Sequence, residues 1–194
     1  MPDFDVVADV SETLRSVVTA GLSTLMPPPA PTAEVVDLLR PVQSSSSAKV
    51  TIFLYEIAED PSARNRPYLR RPAGADVELQ RPPMALLLRY MVTPWSGDWS
   101  TDQKILGRVL QIFYDNAILS GPQLQAGLAG TSEAIKLTLA PITLEDRARV
   151  WYSVQQPYRL SLTYEARVVN LDSVDIQGAR RAREVAAQGA EASA

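Results

Sequence analysis

Cysteine and histidine are both absent from the 194 residues. Without cysteine there are no disulfides, no thiolate metal sites and no thiol nucleophiles. Without histidine the usual general base and the commonest transition-metal ligand are gone. Together these absences exclude Ser-His-Asp and Cys-His triads and the common zinc sites. Carboxylate, lysine or tyrosine chemistry remains, as does magnesium or calcium held by oxygens. Lysine is scarce: Lys49, Lys104 and Lys136 are the only three among nineteen basic residues. The arginine excess favours bidentate interface pairing or reflects genome composition. No apolar run approaches the ~20 residues that a membrane span requires. The N-terminus, MPDFDVVADV, is acidic and lacks the basic-then-apolar order of a secretion signal. A net charge of −3 is too mild to imply nucleic acid or an acidic partner. These absences predict a cytoplasmic, soluble protein with no cofactor, no metal, no membrane contact, no nucleic acid and no small-molecule substrate.

What is present suits a core. Apolar residues make up 46% of the chain, and a chain of this length buries roughly 70% of its unfolded surface. Residues 6–25 read as an amphipathic helix, with Val7, Val10, Leu14, Val17, Val18, Leu22 and Leu25 at spacings of three and four. The prolines of MPPPAPT end it. Val35–Val42 reads as a short strand and Ser44–Ser47 as a loop. Residues 48–58, AKVTIFLYEIA, are apolar on both faces, as in a central strand covered on both sides. PYLRR and DVELQ pair as a hairpin around Ala73-Gly74-Ala75. Residues 84–93 form the next buried strand, closed by Pro94.

Ser100 and Gln103 fit a capping box opening a helix to about Asn116. Ser120-Gly121-Pro122 begins a short turn or helix at 122–128. Residues 134–140 alternate as a strand, and Thr143 with Asp146 opens a second short helix to about Val154. Residues 158–169 alternate from Tyr158 to Val168, with one buried face and one that is wet or meets a partner. From Ser173 the periodicity fades into an Ala-rich tail. The expected fold is α+β: a largely antiparallel or mixed sheet with an N-terminal helix and two further helices packed on it. Residues 1–172 form the domain and residues 173–194 a flexible tail.

No Walker loop, G-x-G-x-x-G or EF-hand pattern occurs. Glu56, Glu59 and Asp60 are candidate metal carboxylates, or solvated acids and ion-pair partners at a strand end. Glu145 and Asp146 fall in a first helical turn, where the dipole favours them. The arginine-rich loop carrying Arg64, Arg66, Arg70 and Arg71 is the best candidate interaction surface, against the simpler reading of a solvated loop. Trp95 and Trp99 flank Gly97 either as a plug closing the core beside a helix cap or as interface anchors. Arg159 and Arg167, on the polar face of 158–169, complete the candidate interaction set. None of these signals catalysis.

Several stretches in order carry a resemblance: DVSETLRSVV at 9–18, VTIFLYEIAEDPSARN at 50–65, RPPMALLLRYMVTPW at 81–95, DQKILGRVLQIFYDNAILSG at 102–121 and LTLAPITLEDRARVWYSVQQPYRLSLTYEARVV at 137–169. Over about residues 5–173 the chain is similar to the N-terminal domain of the cap, or tail-terminator, proteins of extracellular contractile injection systems. These are phage-tail-like particles with a baseplate, an inner tube and a contractile sheath. The resemblance implies a non-enzymatic structural protein that forms a homohexameric ring on the baseplate-distal end of the particle. The ring stops tube and sheath polymerisation, so the implied partners are further copies of the chain and the sheath and inner-tube proteins. Larger relatives carry a further C-terminal domain, whose role is not carried over here. Head-to-tail contacts that close suit such a ring, and strand addition suits docking to a sheath. The hairpin at 67–81 and the strand at 158–169 are the expected edges. Alternatives are another tail-completion or baseplate-associated subunit, a carboxylate hydrolase using Glu56 and Asp60, or nucleic-acid binding through the arginine loop.

Overall fold

The structure, a computed structural model, describes residues 4–39, 42, 48–64, 66–73, 76–173 and 176–179. In chain order the elements are α1 (Val6–Leu25), β1 (Thr32–Val35), β2 (Lys49–Glu59), β3 (Leu69–Ala73), β4 (Asp76–Gln80), β5 (Met84–Trp95), α2 (Trp99–Asp115), β6 (Ile118–Ser120), β7 (Ala134–Leu139), α3 (Leu144–Ser153), β8 (Leu162–Leu171) and β9 (Ile176–Ala179). They fall into two compact units, Met1–Arg64 with Met84–Asp172, and Asn65–Pro83 with Ser173–Ala194.

The first unit is built on a six-stranded sheet in the order β1-β2-β5-β8-β7-β6. Only β1 and β2 run parallel. α1 and α2 cover one face. Val6, Val10, Leu14, Val18 and Leu22, one residue per turn of α1, are all buried there. They meet Val50 and Ile52 of β2, Leu88, Tyr90 and Val92 of β5, and Ile105, Val109 and Ile112 of α2. The two helices approach closely at Gly21, where an added Cβ would lie 2.6 Å from Ile112 Cδ1. The 3₁₀ turns at Gly121–Gln123 and Ala126–Leu128 are tied to α1 by the buried Thr13 hydroxyl. It donates to the Asp9 carbonyl and accepts from Gln125 N–H at 3.1 Å. On the opposite face α3 lays Trp151 and Val154 over Met91, with Leu38, Phe53, Tyr55 and Trp95 around them.

The second unit is a three-stranded antiparallel sheet, β3-β4-β9. Its hairpin is the one expected, with Leu69 opposite Gln80 and Ala73 opposite Asp76. Within the stretch assigned to the tail, Ile176–Ala179 pairs with β4. Residues 44–47 and 180–194 lie outside the described residues.

Several expectations need correction. The strand expected over Val35–Val42 ends at Val35 and begins three residues earlier. Its length is set by parallel pairing to Lys49–Ile52, and Leu38 then turns with a φ of 56°. Pro94 does not close β5 but lies inside it, opposite Val50. β8 has already ended there, at the Val92–Leu162 pair, so the missing N–H leaves no ladder bond unmade. The cap of α2 is Asp98, not Ser100: its carboxylate accepts from Thr101 N–H at 2.8 Å, starting the helix at Trp99. β8 runs over 162–171 rather than 158–169: residues 156–161 are not part of a strand, and Tyr158 and Leu160 among them are exposed. Its polar face is not wet: Thr163 and Glu165 are buried, Thr163 pairing with Met91 beneath α3. Nor is it an edge, since β5 and β7 flank it. β2 is covered on both sides only in its first half. β6, three residues long, carries no signal of its own in the sequence.

Candidate assembly surface

The two tryptophans of the WSGDW stretch separate. Trp95 ends β5 and points into the α3 cluster, where it meets the Trp151 ring edge-on at 6.3 Å. Its indole N–H donates to Thr51 Oγ1 at 2.9 Å. Trp95 is therefore the plug. Trp99 opens α2 and is 72% exposed.

Arg159 is engaged by neighbours, with part of its side chain still exposed. Its guanidinium lies 4.3 Å above the Trp95 ring and 3.0 Å from Asp102 Oδ2. Asp102 in turn accepts from the Ser96 N–H and hydroxyl, so one knot holds residue 159, the β5–α2 turn and the plug together. Arg167 is committed as well. It belongs to a row of charges crossing three strands on the face that carries α3. Glu56 of β2 takes two hydrogen bonds from Arg89 of β5 at 2.8 Å, Arg89 Nε reaches Glu165 of β8 at 3.0 Å, and Glu165 accepts from Arg167 at 2.7 Å. Arg167 also stands 3.9 Å from buried Asp60. Burial pushes the Glu165 carboxyl up, but hydrogen bonds from Arg167 and Arg89 outweigh it and hold the group below its ordinary value.

The carboxylates proposed for a metal are thus spoken for. Glu56 serves Arg89, Glu59 pairs with Arg64 at 3.0 Å, and Asp60 accepts from the Ser62 N–H and hydroxyl. Among the described residues no three acidic side chains are grouped to hold an ion. Nor is any described helix long and apolar enough to cross a membrane. Of the arginine loop, Arg64 is engaged with Glu59, while Arg66 and Arg70 are exposed. The side chain of Arg71 lies outside the described residues.

Two features missed in the sequence stand out. β2 is eleven residues long, yet β1 pairs with only its first four. After Val36 N–H donates to the Ile52 carbonyl, no described strand lines the outer side of β2 from Phe53 to Glu59. A groove of about 890 Å³ beneath the start of α1 meets the beginning of that edge at Phe53 and Leu54, with Val7, Val35, Asp5 and Asp37 also lining it. A second groove, about 750 Å³, lies between α2 and β7 and is lined by Leu110, Phe113, Tyr114, Leu137, Leu139 and Tyr164. Tyr114 is 85% exposed at its lip. The signal for the open edge is a length mismatch: an eleven-residue strand beside a neighbour too short to cover it.

Comparison with known proteins follows the same lines. No curated protein sequence matches this chain. Among solved structures, the sheath/tube terminator of an extracellular contractile injection system, PVC, in the extended state superposes with a TM-score of 0.63 at 23% identity. That match covers 96% of this chain and 64% of the other. The tube-terminating cap of the anti-feeding prophage gives 0.59 at 21% identity, over 93% of this chain and 58% of the other. This chain therefore spans rather less than two thirds of those proteins, and at such identities the likeness establishes a shared α+β fold. The sequence itself matches the Pvc16 N-terminal domain family over residues 9–184, and with that match spanning both units the chain belongs to this family.

Proposed function

We propose that this chain is a terminator of a contractile injection particle: a non-enzymatic structural subunit that caps the baseplate-distal end and stops tube and sheath polymerisation. Family membership over residues 9–184 carries the reading, and the two structural neighbours, each a terminating cap, support it. Glu56, Glu59 and Asp60, the acids of the hydrolase alternative, are engaged with Arg89, Arg64 and Ser62. Exposed apolar side chains are plentiful instead: Trp99, Tyr114, Tyr152, Leu144 and Ile57 are each more than half exposed, as surfaces awaiting partners are. In this reading the chain acts inside the producing cell as a homohexameric ring contacting sheath and inner tube. A ring needs two different, complementary patches per subunit, because its contacts are head-to-tail.

Negative-stain microscopy of particles from cells lacking the gene tests this directly. Abnormally long or ragged tube and sheath assemblies, restored by complementation, are expected. Particles of normal length with normal ends would overturn the terminator role and favour another tail-completion subunit.

A further inference from the structure

Two strand edges of this chain lie near charged side chains of opposite sign that make no ion pair among the described residues. The first is the outer side of β2 from Phe53 to Glu59, continuing the line that β1 leaves after Val35. An extended segment placed there would run along an outer side of β2 that no described strand occupies, with the apolar wall of Val7, Val35 and Leu54 beside its first two residues. The acids lining that groove, Asp5 and Asp37, are exposed and make no ion pair among the described residues.

The second is β3, the outer strand of its three-stranded sheet, with residues 66–68 leading into it. Arg66 and Arg70 are exposed and make no ion pair among the described residues. Between them Tyr68 is 50% and Leu69 46% exposed. In an extended chain, Arg66, Tyr68 and Arg70 project on one side and Leu69 on the other. The two guanidiniums are then about 13 Å apart along the strand with an aromatic ring midway. Pro67 and Pro72 lack N–H groups, so neither can donate to an added-strand ladder. This is an apolar centre flanked by cations; the groove is an apolar wall flanked by anions.

We propose that the open edge of β2 receives residues 66–70 of a second copy of the chain as an added strand. Tyr68 seats against Val7 and Leu54, and Arg66 and Arg70 reach the Asp5 and Asp37 carboxylates. The contact is heterologous, edge to a different edge, so each copy keeps one half free for the next. The inference rests on the terminator reading and supplies the head-to-tail joint that the ring requires. A pair of charge-assisted contacts at the ends of a main-chain ladder fixes register as well as affinity.

The absence of cysteine makes the test clean. Ile57→Cys and Leu69→Cys, each exposed in the wild type, are made separately and treated with a bismaleimide whose spacer reaches around the strand edge, since the two side chains face opposite sides of the sheet. The treatment is applied to the purified protein and to particles from complemented cells. A covalent dimer is expected when the two variants are mixed and not with either alone. In parallel, Arg66→Glu with Arg70→Glu and Asp5→Arg with Asp37→Arg should each weaken self-association at least tenfold by mass photometry. Combining all four substitutions in one chain should restore it. Circular dichroism of each variant confirms that these exposed changes leave the fold intact. Rings that form with neither the cross-link nor sensitivity to the charge reversals overturn the joint and leave the terminator reading standing. Cross-linking of Ile57→Cys to a sheath or tube protein overturns it in favour of a different occupant. A chain that is monomeric in solution and on the particle overturns both.

Discussion

Single side chains decide how the edge of the first unit is sealed. Arg159 sits over the Trp95 ring and also pairs with Asp102, at 4.3 and 3.0 Å. Its side chain is 35% exposed, so solvent screens part of both interactions. Arg159→Ala should therefore lower stability by about 1 kcal/mol in urea denaturation. The tryptophan fluorescence should also report a loosened Trp95; an unchanged midpoint and spectrum would refute the knot. The composition of this knot is visible in the sequence as two tryptophans and an arginine. Its assignment is not. Trp95 and Trp99 lie four residues apart on either side of Gly97, and local pattern treats them alike. A strand pleat aims one at the α3 cluster, and a helix start aims the other at solvent. Likewise Arg159 and Arg167 fit a polar face in the sequence, while their partners Asp102 and Asp60 come from positions far away along the chain.

Element boundaries follow the side chains that satisfy backbone donors. At α3 the expected cap holds: Thr143 Oγ1 accepts from Asp146 N–H at 3.1 Å. Thr143→Ala should cost about 1 kcal/mol by chemical denaturation. At α2 the cap is Asp98, so Asp98→Ala should destabilise while Ser100→Ala, the cap suggested by the Ser-x-x-Gln pattern, should leave the midpoint within about 0.5 kcal/mol of wild type. The reverse result would place the start of α2 two residues later. α1 and α2 were both legible from apolar periodicity, because a helix face repeats within the local sequence. The buried run of β5 was legible as well. β1 and β6 were not, since each is so short that pairing with a longer neighbour creates it. The same long-range pairing leaves β2 half covered, and no local pattern distinguishes its covered half from its open one.

At the scale of the whole molecule, the charge row Glu56–Arg89–Glu165–Arg167 ties β2, β5 and β8 across the sheet. Glu165 titrates below its ordinary value in the folded chain, because the hydrogen bonds from Arg167 and Arg89 outweigh the raising effect of burial. As pH falls, the unfolded chain therefore takes up this proton first. Stability from Glu165 is fully present above the ordinary glutamate value, about 4.3, and is lost as pH drops through the lower native value. The urea midpoint should fall on acidification below about pH 4.5, and Glu165→Gln should flatten part of that fall. An acid slope identical in variant and wild type would remove Glu165 from the account. Composition alone excluded histidine and cysteine chemistry, and apolar patterning with capping residues placed α1, α2, α3 and β5, because these properties are carried by residues close together in the chain. Which edge of the sheet stays open, which tryptophan is exposed and which arginines remain unpaired depended on contacts between residues tens of positions apart. Strand pairing and ion pairing at that range are settled only when the core closes.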